Sequence, residues 1–116
     1  MTTLKDTLEN LGDLHDARVM SIRWDSHLAD LDFTFEDIYA NFAGLANHPG
    51  KEQGSIVLHN VKELDVAIET IGLAHIYAFS VIEIEGDFLA TVLFRPSGKI
   101  TARFTSADFP EVRLLE

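Results

Sequence analysis

The sequence predicts a mainly β fold: an antiparallel curved sheet or a two-sheet β-sandwich carrying a short N-terminal helix, with an α+β arrangement as the variant. Three observations predict it. Apolar residues recur at every second position over most of the chain. Short turn-forming stretches separate the alternating segments, and strands joined by so few residues must run antiparallel. Clear helical spacing is confined to the N-terminus.

Residues 3–11 read as the helix, because Leu4, Leu8 and Leu11 fall on one face. Thr2 or Thr3 caps it, Asp6 suits its first turn, and Gly12 suits the left-handed position after its last. The period then changes to two. Met20, Ile22 and Trp24 form one apolar row, and Leu31, Phe33 and Phe35 another. Asp25-Ser26-His27 joins the two as a hairpin, and the second strand is expected to run on to Phe42 with a bend near Asp37. Residues 47–54 hold Pro49, Gly50 and Gly54 and read as a loop. A short apolar strand follows over 55–61. Residues 62–71 fit a helix through Leu64, Ile68 and Ile71 or a strand through Leu64, Val66 and Ile68, and an irregular or helical crossover is preferred. Three strands close the chain. The first, over 74–85, shifts its apolar phase near Ser80, where a bulge is expected. Glu85-Gly86-Asp87-Phe88 reads as a type II′ hairpin, and Arg95-Pro96-Ser97-Gly98-Lys99 as a second hairpin. A turn is expected over 106–110 and an edge strand over 111–115.

The 116 residues form one domain, 1–116, large enough for a core without staples. Cysteine is absent, which excludes disulfides and thiolate metal sites. No apolar run approaches the roughly 18 residues of a membrane span, and the first residues lack the pattern of a signal peptide. A cytoplasmic protein is the expectation. Nineteen Asp and Glu against nine Lys and Arg give a formal charge of −10. That charge repels nucleic acid phosphates and anionic membrane surfaces, and it favours encounter with a basic protein partner.

Candidate chemistry is sparse. His15 and Asp16 could act as an acid–base pair or as metal ligands, yet neighbours on an extended chain point to opposite faces. The structural alternative has Asp16 accepting backbone N–H bonds and His15 packing on the helix while bonding a carbonyl. His27, His48, His59 and His75 show no metal-ligand spacing with each other or with His15, so neither a metal nor any other cofactor is expected. Asp30, Asp32 and Glu36 fall on one side of their strand, and Glu83, Glu85 and Asp87 gather at a hairpin. These carboxylates form either a solvated face that guards against edge aggregation or a docking face for a basic protein. There is no nucleophile elbow and no glycine-rich phosphate cradle. Trp24, Phe33, Phe35 and Tyr77 read as core.

Leu14-His15-Asp16-Ala17-Arg18-Val19, then Ile56-Val57-Leu58-His59-Asn60-Val61, then Gly98-Lys99-Ile100-Thr101-Ala102 form a pattern over residues 13–105. The pattern resembles small bacterial β-rich proteins, some of them similar to immunity proteins of polymorphic toxin systems. The N-terminal helix lies outside it. The resemblance implies a β-rich fold and a binding role, and it carries no catalytic residue onto this chain. The expected function is therefore a non-catalytic acidic module that binds a basic protein, with His15, Asp16, Asp30, Asp32, Glu36, Glu83 and Glu85 as candidate binding residues. The alternative is a small metal-dependent enzyme or metal binder using His15 and Asp16 with His27 or His59. A homodimer through a sheet edge is a third arrangement.

Overall fold

The computed structural model describes residues 3–68 and 74–113. Helix α1 (Leu4–Asn10) starts at a reciprocal cap. The Thr3 hydroxyl accepts from the Asp6 N–H and the Asp6 carboxylate accepts from the Thr3 N–H, both at 3.1 Å. Leu4, Leu8 and Leu11 enter the core. Gly12 takes a φ of +65°, and a Cβ there would collide with the Asn41 side chain, so conformation and space both call for glycine.

The strands are β1 (Arg18–Asp25), β2 (Asp30–Phe35), β3 (Gly54–His59), β4 (Glu63–Ala67), β5 (Ala74–Ile84), β6 (Asp87–Arg95), β7 (Lys99–Phe104) and β8 (Ser106–Asp108). They form one antiparallel sheet in the order β4-β7-β6-β5-β1-β2-β3-β8. The two ends of that order are continuations of strands inside it. β4 follows β3 after three residues, of which Asn60 has a φ of +53°, and β8 follows β7 after Thr105 alone. The Lys62 N–H donates to the Arg103 carbonyl at 2.8 Å and the Thr105 N–H to the His59 carbonyl at 3.2 Å, so the β3–β8 and β4–β7 ladders join with a one-residue slip. The sheet thus curls until its ends adjoin. The remaining seam, β1 to β5, shows two cross-strand pairs among the described residues. Arg18 pairs with His75 and Val19 with Ala74, extended by Asp16 N–H to Ile76 O at 2.9 Å and Ile76 N–H to Ala17 O at 2.8 Å. Helix α1 and the 3₁₀ turn Gly12–Leu14 pack on β5 beside this seam.

Alternation places Phe33, Phe35, Leu58, Ile76, Phe79, Val92, Ile100 and Phe104 on the concave face, all within one buried cluster. The Phe33 and Phe79 rings meet edge to face at 5.3 Å between centroids. Among the described residues, no helix is long and apolar enough to cross a membrane.

Several local expectations are corrected. Trp24 is 45% exposed rather than core. A bulge at Met20 breaks the apolar row, and Trp24, though opposite buried Leu31, lies beyond the β1–β5 pairs of the described residues. Tyr77 is also exposed, because the bulge in β5 falls between Ile76 and Ala78 rather than near Ser80. The second strand stops at Phe35. Asp37 Oδ1 accepts from the N–H groups of Tyr39 (3.0 Å) and Glu52 (3.1 Å), turning the chain so that Ile38 and Tyr39 are buried from a turn. Residues 63–67 are strand, because β7 offers a partner along their whole length, while 69–71 lie outside the described residues. Glu85 (φ +47°) and Gly86 (φ +85°) are both left-handed, which makes that hairpin turn type I′ rather than II′. Ser106–Asp108 is a strand rather than a turn. Residues 111–113 are irregular, and 114–115 lie outside the described residues.

Asp87 is likewise no free hairpin carboxylate, being 7% exposed. It accepts from the Lys62 ammonium on both oxygens (3.1 Å) and from Arg103 Nε (2.9 Å). Lys62 first and Arg103 second hold its carboxyl below the usual range. One carboxylate therefore ties the β5–β6 hairpin to the joined ladder.

Phe33→Ala should cost roughly 3–5 kcal/mol in urea unfolding, and Trp24→Ala under about 1 kcal/mol. Asp87→Asn should lower stability at neutral pH. Because the folded-state value is depressed, the Asp87 contribution is present above the unfolded carboxyl value near 3.9 and is lost as pH falls through the folded one. Urea midpoints across acid pH should therefore fall less steeply in Asp87→Asn than in the wild type.

Candidate functional site

Two polar regions stand out. The first lies at the β1–β5 seam. The chain reaches it through left-handed Asp13, Leu14 and Asp16, a costly run for residues with a Cβ. Burial of Leu14 and the Asp16 N–H bond to Ile76 hold it in place. His15 Nδ1 donates to the Tyr77 carbonyl at 2.8 Å. That assignment leaves Nε2 as an acceptor for Arg95 Nη2 at 3.3 Å. Arg95 also lies over the Tyr77 ring, 5.3 Å from its centroid, and 3.6 Å from Asp16 Oδ1. The Asp16 side chain thus faces an arginine rather than backbone N–H groups. Both His15 ring nitrogens are engaged, which removes the free lone pair that a general base or metal ligand requires.

Glu36 belongs to this region and not to the row of Asp30 and Asp32. It follows the end of β2, and its N–H donates to the Arg18 carbonyl at 2.9 Å. Its carboxylate bonds Arg18 Nη1 at 2.9 Å and also the Lys51 ammonium. Lys51 foremost, then Arg18, keeps Glu36 below the ordinary carboxyl value. Around it is an open depression of about 550 Å³ lined by Arg18, Met20, Glu36, Lys51 and Gln53. Arg18 and Lys51 share the single Glu36 carboxylate, so the lining carries more positive than negative charge.

The second region is the convex face of β1, β2, β3 and β8. Cross-strand pairing sets Arg23, Asp32, Val57 and Asp108 in one row, and Asp25, Asp30, His59 and Ser106 in the next. His59 bridges two carboxylates, with Nδ1 3.0 Å from Asp30 Oδ1 and Nε2 2.9 Å from Asp108 Oδ2. Asp108 first, then Asp30, raises the His59 imidazole above its ordinary value against a smaller effect of burial. Asp25 Oδ1 is occupied by the N–H groups of His27 (2.9 Å) and Leu28 (3.1 Å) in the β1–β2 turn. Asp32 Oδ1 is out of solvent contact and has no hydrogen-bond partner. An open depression of about 370 Å³ is lined by Arg23, Trp24, Asp25, Ser26, Asp30, Asp32 and Val57.

Of the candidate residues, the structure thus groups His15 with Asp16 and Asp30 with Asp32. Glu83, opposite Phe88, and Glu85, 3.6 Å from Arg103, stand apart on the β5–β6 hairpin. Asp25 and Asp108 join the acidic face without having been singled out. Asp25 is legible as the residue opposite Asp30 across a hairpin, whereas Asp108 carries no signal because the local sequence over 106–110 has the pattern of a turn. Among the described residues, no group of three or more His, Asp or Glu could hold a metal ion. At His59 the reason is geometric: its two ring nitrogens face carboxylates on opposite sides, so the three groups do not converge. The chain matches no family model, no curated protein and no solved structure.

Proposed function

We propose that this protein is a non-catalytic, acidic binding module that receives a basic protein on its convex β1–β2–β3–β8 face, as an immunity or inhibitor protein in the cytoplasm would. One observation carries the reading: Asp25, Asp30, Asp32 and Asp108 share that face around an open depression. The Asp32 carboxylate lines that depression, and its charge would attract a guanidinium or ammonium from the partner. Half-exposed Trp24 borders the same depression and adds apolar contact area at its rim. The chain's charge of −10 would steer such a partner from a distance. The action is occlusion by surface complementarity, without bond making or breaking.

The test is an affinity pull-down from the protein's own cell lysate at low and high salt, read by mass spectrometry. The expected result is one stoichiometric basic protein, released at high salt and weakened by Asp32→Asn or Trp24→Ala. A partner that ignores both salt and these substitutions would overturn the assignment of this face. No partner at either salt would overturn the binding reading itself.

A further inference from the structure

His59 sits where three strands meet on the convex face. Asp30 reaches it from β2 and Asp108 from β8, one on each ring nitrogen. Two ionised carboxylates can both accept from one imidazole only if both ring nitrogens carry protons, so this geometry is that of the imidazolium. β8 is a three-residue edge strand, paired to β3 through Val57, Leu58 and His59. Asp108, whose side chain is 81% exposed, is the terminal residue of that pairing. The charged groups facing the imidazole are few. They are Asp30 and then Asp32 on β2, Asp108 on β8, and, across β2, Asp25 opposite Asp30 and Arg23 opposite Asp32. Lys62, just after β3, is committed to Asp87.

We infer that His59 is a pH-operated clasp: protonated, it fastens β8 to β2 and β3 and masks two carboxylates of the acidic face; neutral, it keeps Asp30 and releases and unmasks Asp108. On losing one proton the ring keeps a single N–H donor, and its bare nitrogen then faces a carboxylate. The exposed Asp108 turns away into water at less cost than the half-buried Asp30. The direction with pH follows. A group whose folded value is raised contributes fully below its unfolded value, near 6.5 for imidazole, and the contribution disappears as pH rises through the folded value. The clasp is therefore closed in mild acid and open in mild base. Its fastening half stands on this geometry alone, and its masking half rests on the docking reading above.

The test has two readouts on the full chain, at about pH 5.5 and about pH 8.5, which bracket an imidazole transition. Hydrogen exchange of the Ser106, Ala107 and Asp108 amides, corrected for intrinsic rates, should show protection falling by about threefold to tenfold at the higher pH. In His59→Gln, and in Asp108→Asn at a site too exposed to threaten folding, protection should stay low at both pH values. Decaarginine should bind the wild type more tightly at the higher pH, and His59→Gln should remove that pH dependence. Equal protection at both pH values in the wild type overturns the clasp. A clasp that opens without changing decaarginine affinity overturns the masking. Decaarginine that binds at neither pH counts against the docking reading and leaves the fastening half standing.

Discussion

The structure depends on one joined ladder. The chain from β3 into β4 pairs with the chain from β7 into β8, and the two bonds at Lys62 and Thr105 carry the pairing across both bends. Without it, β4 and β8 would each be a short strand with nothing to complete. With it, the sheet curls onto its own aromatic face, and Phe33, Phe35, Phe79 and Phe104 share one dry interior. The bend at Asn60 is the local requirement. Its left-handed φ of +53° suits asparagine better than any β-branched residue, and it absorbs the one-residue slip between the ladders.

The same register builds the convex face. Side chains alternate strictly, so the pairings that send Leu31, Phe33, Ile56 and Leu58 inward send Asp30, Asp32, Val57 and His59 outward. A slip of β2 by one residue against β3 would drive two carboxylates into the core. The burial cost of such charges selects the observed register, and the acidic face follows from it. Stability and surface chemistry are thus two readings of one alignment.

The strands were legible wherever alternation met a turn with its own chemistry. The rows Leu31-Phe33-Phe35 and Ile100-Ala102-Phe104 are buried as their period requires, and Gly12 and Gly86 mark chain reversals that accept a left-handed residue. Legibility ended where pairing at long range decides. Residues 63–67 carry both a helical and an extended pattern, and only the presence of β7 beside them selects strand. Trp24 shows the same limit from the other side. Its phase matches that of Leu31 across the hairpin, yet it is 45% exposed, because phase alone supplies no neighbour to cover a side chain. At the acidic face, Asp30 and Asp32 could be placed on one side by spacing. Their meeting with His59 and Asp108 depends on two further strands that the local pattern does not specify.

The Leu14-His15-Asp16 step, the most chemical-looking stretch of the sequence, takes its meaning from the β1–β5 seam. Among the described residues, Arg18–His75 and Val19–Ala74 are the pairs that join the sheet there. Three left-handed residues with side chains precede it, and that strain persists only where surrounding contacts over-determine it. The contacts are Leu14 buried beneath, the Asp16 N–H on Ile76, His15 on the Tyr77 carbonyl, and Arg95 bridging His15, Asp16 and the Tyr77 ring. A histidine with both nitrogens engaged and an aspartate facing an arginine act here as fasteners. The chemistry that sequence reading seeks in such a pair is spent on closing the sheet.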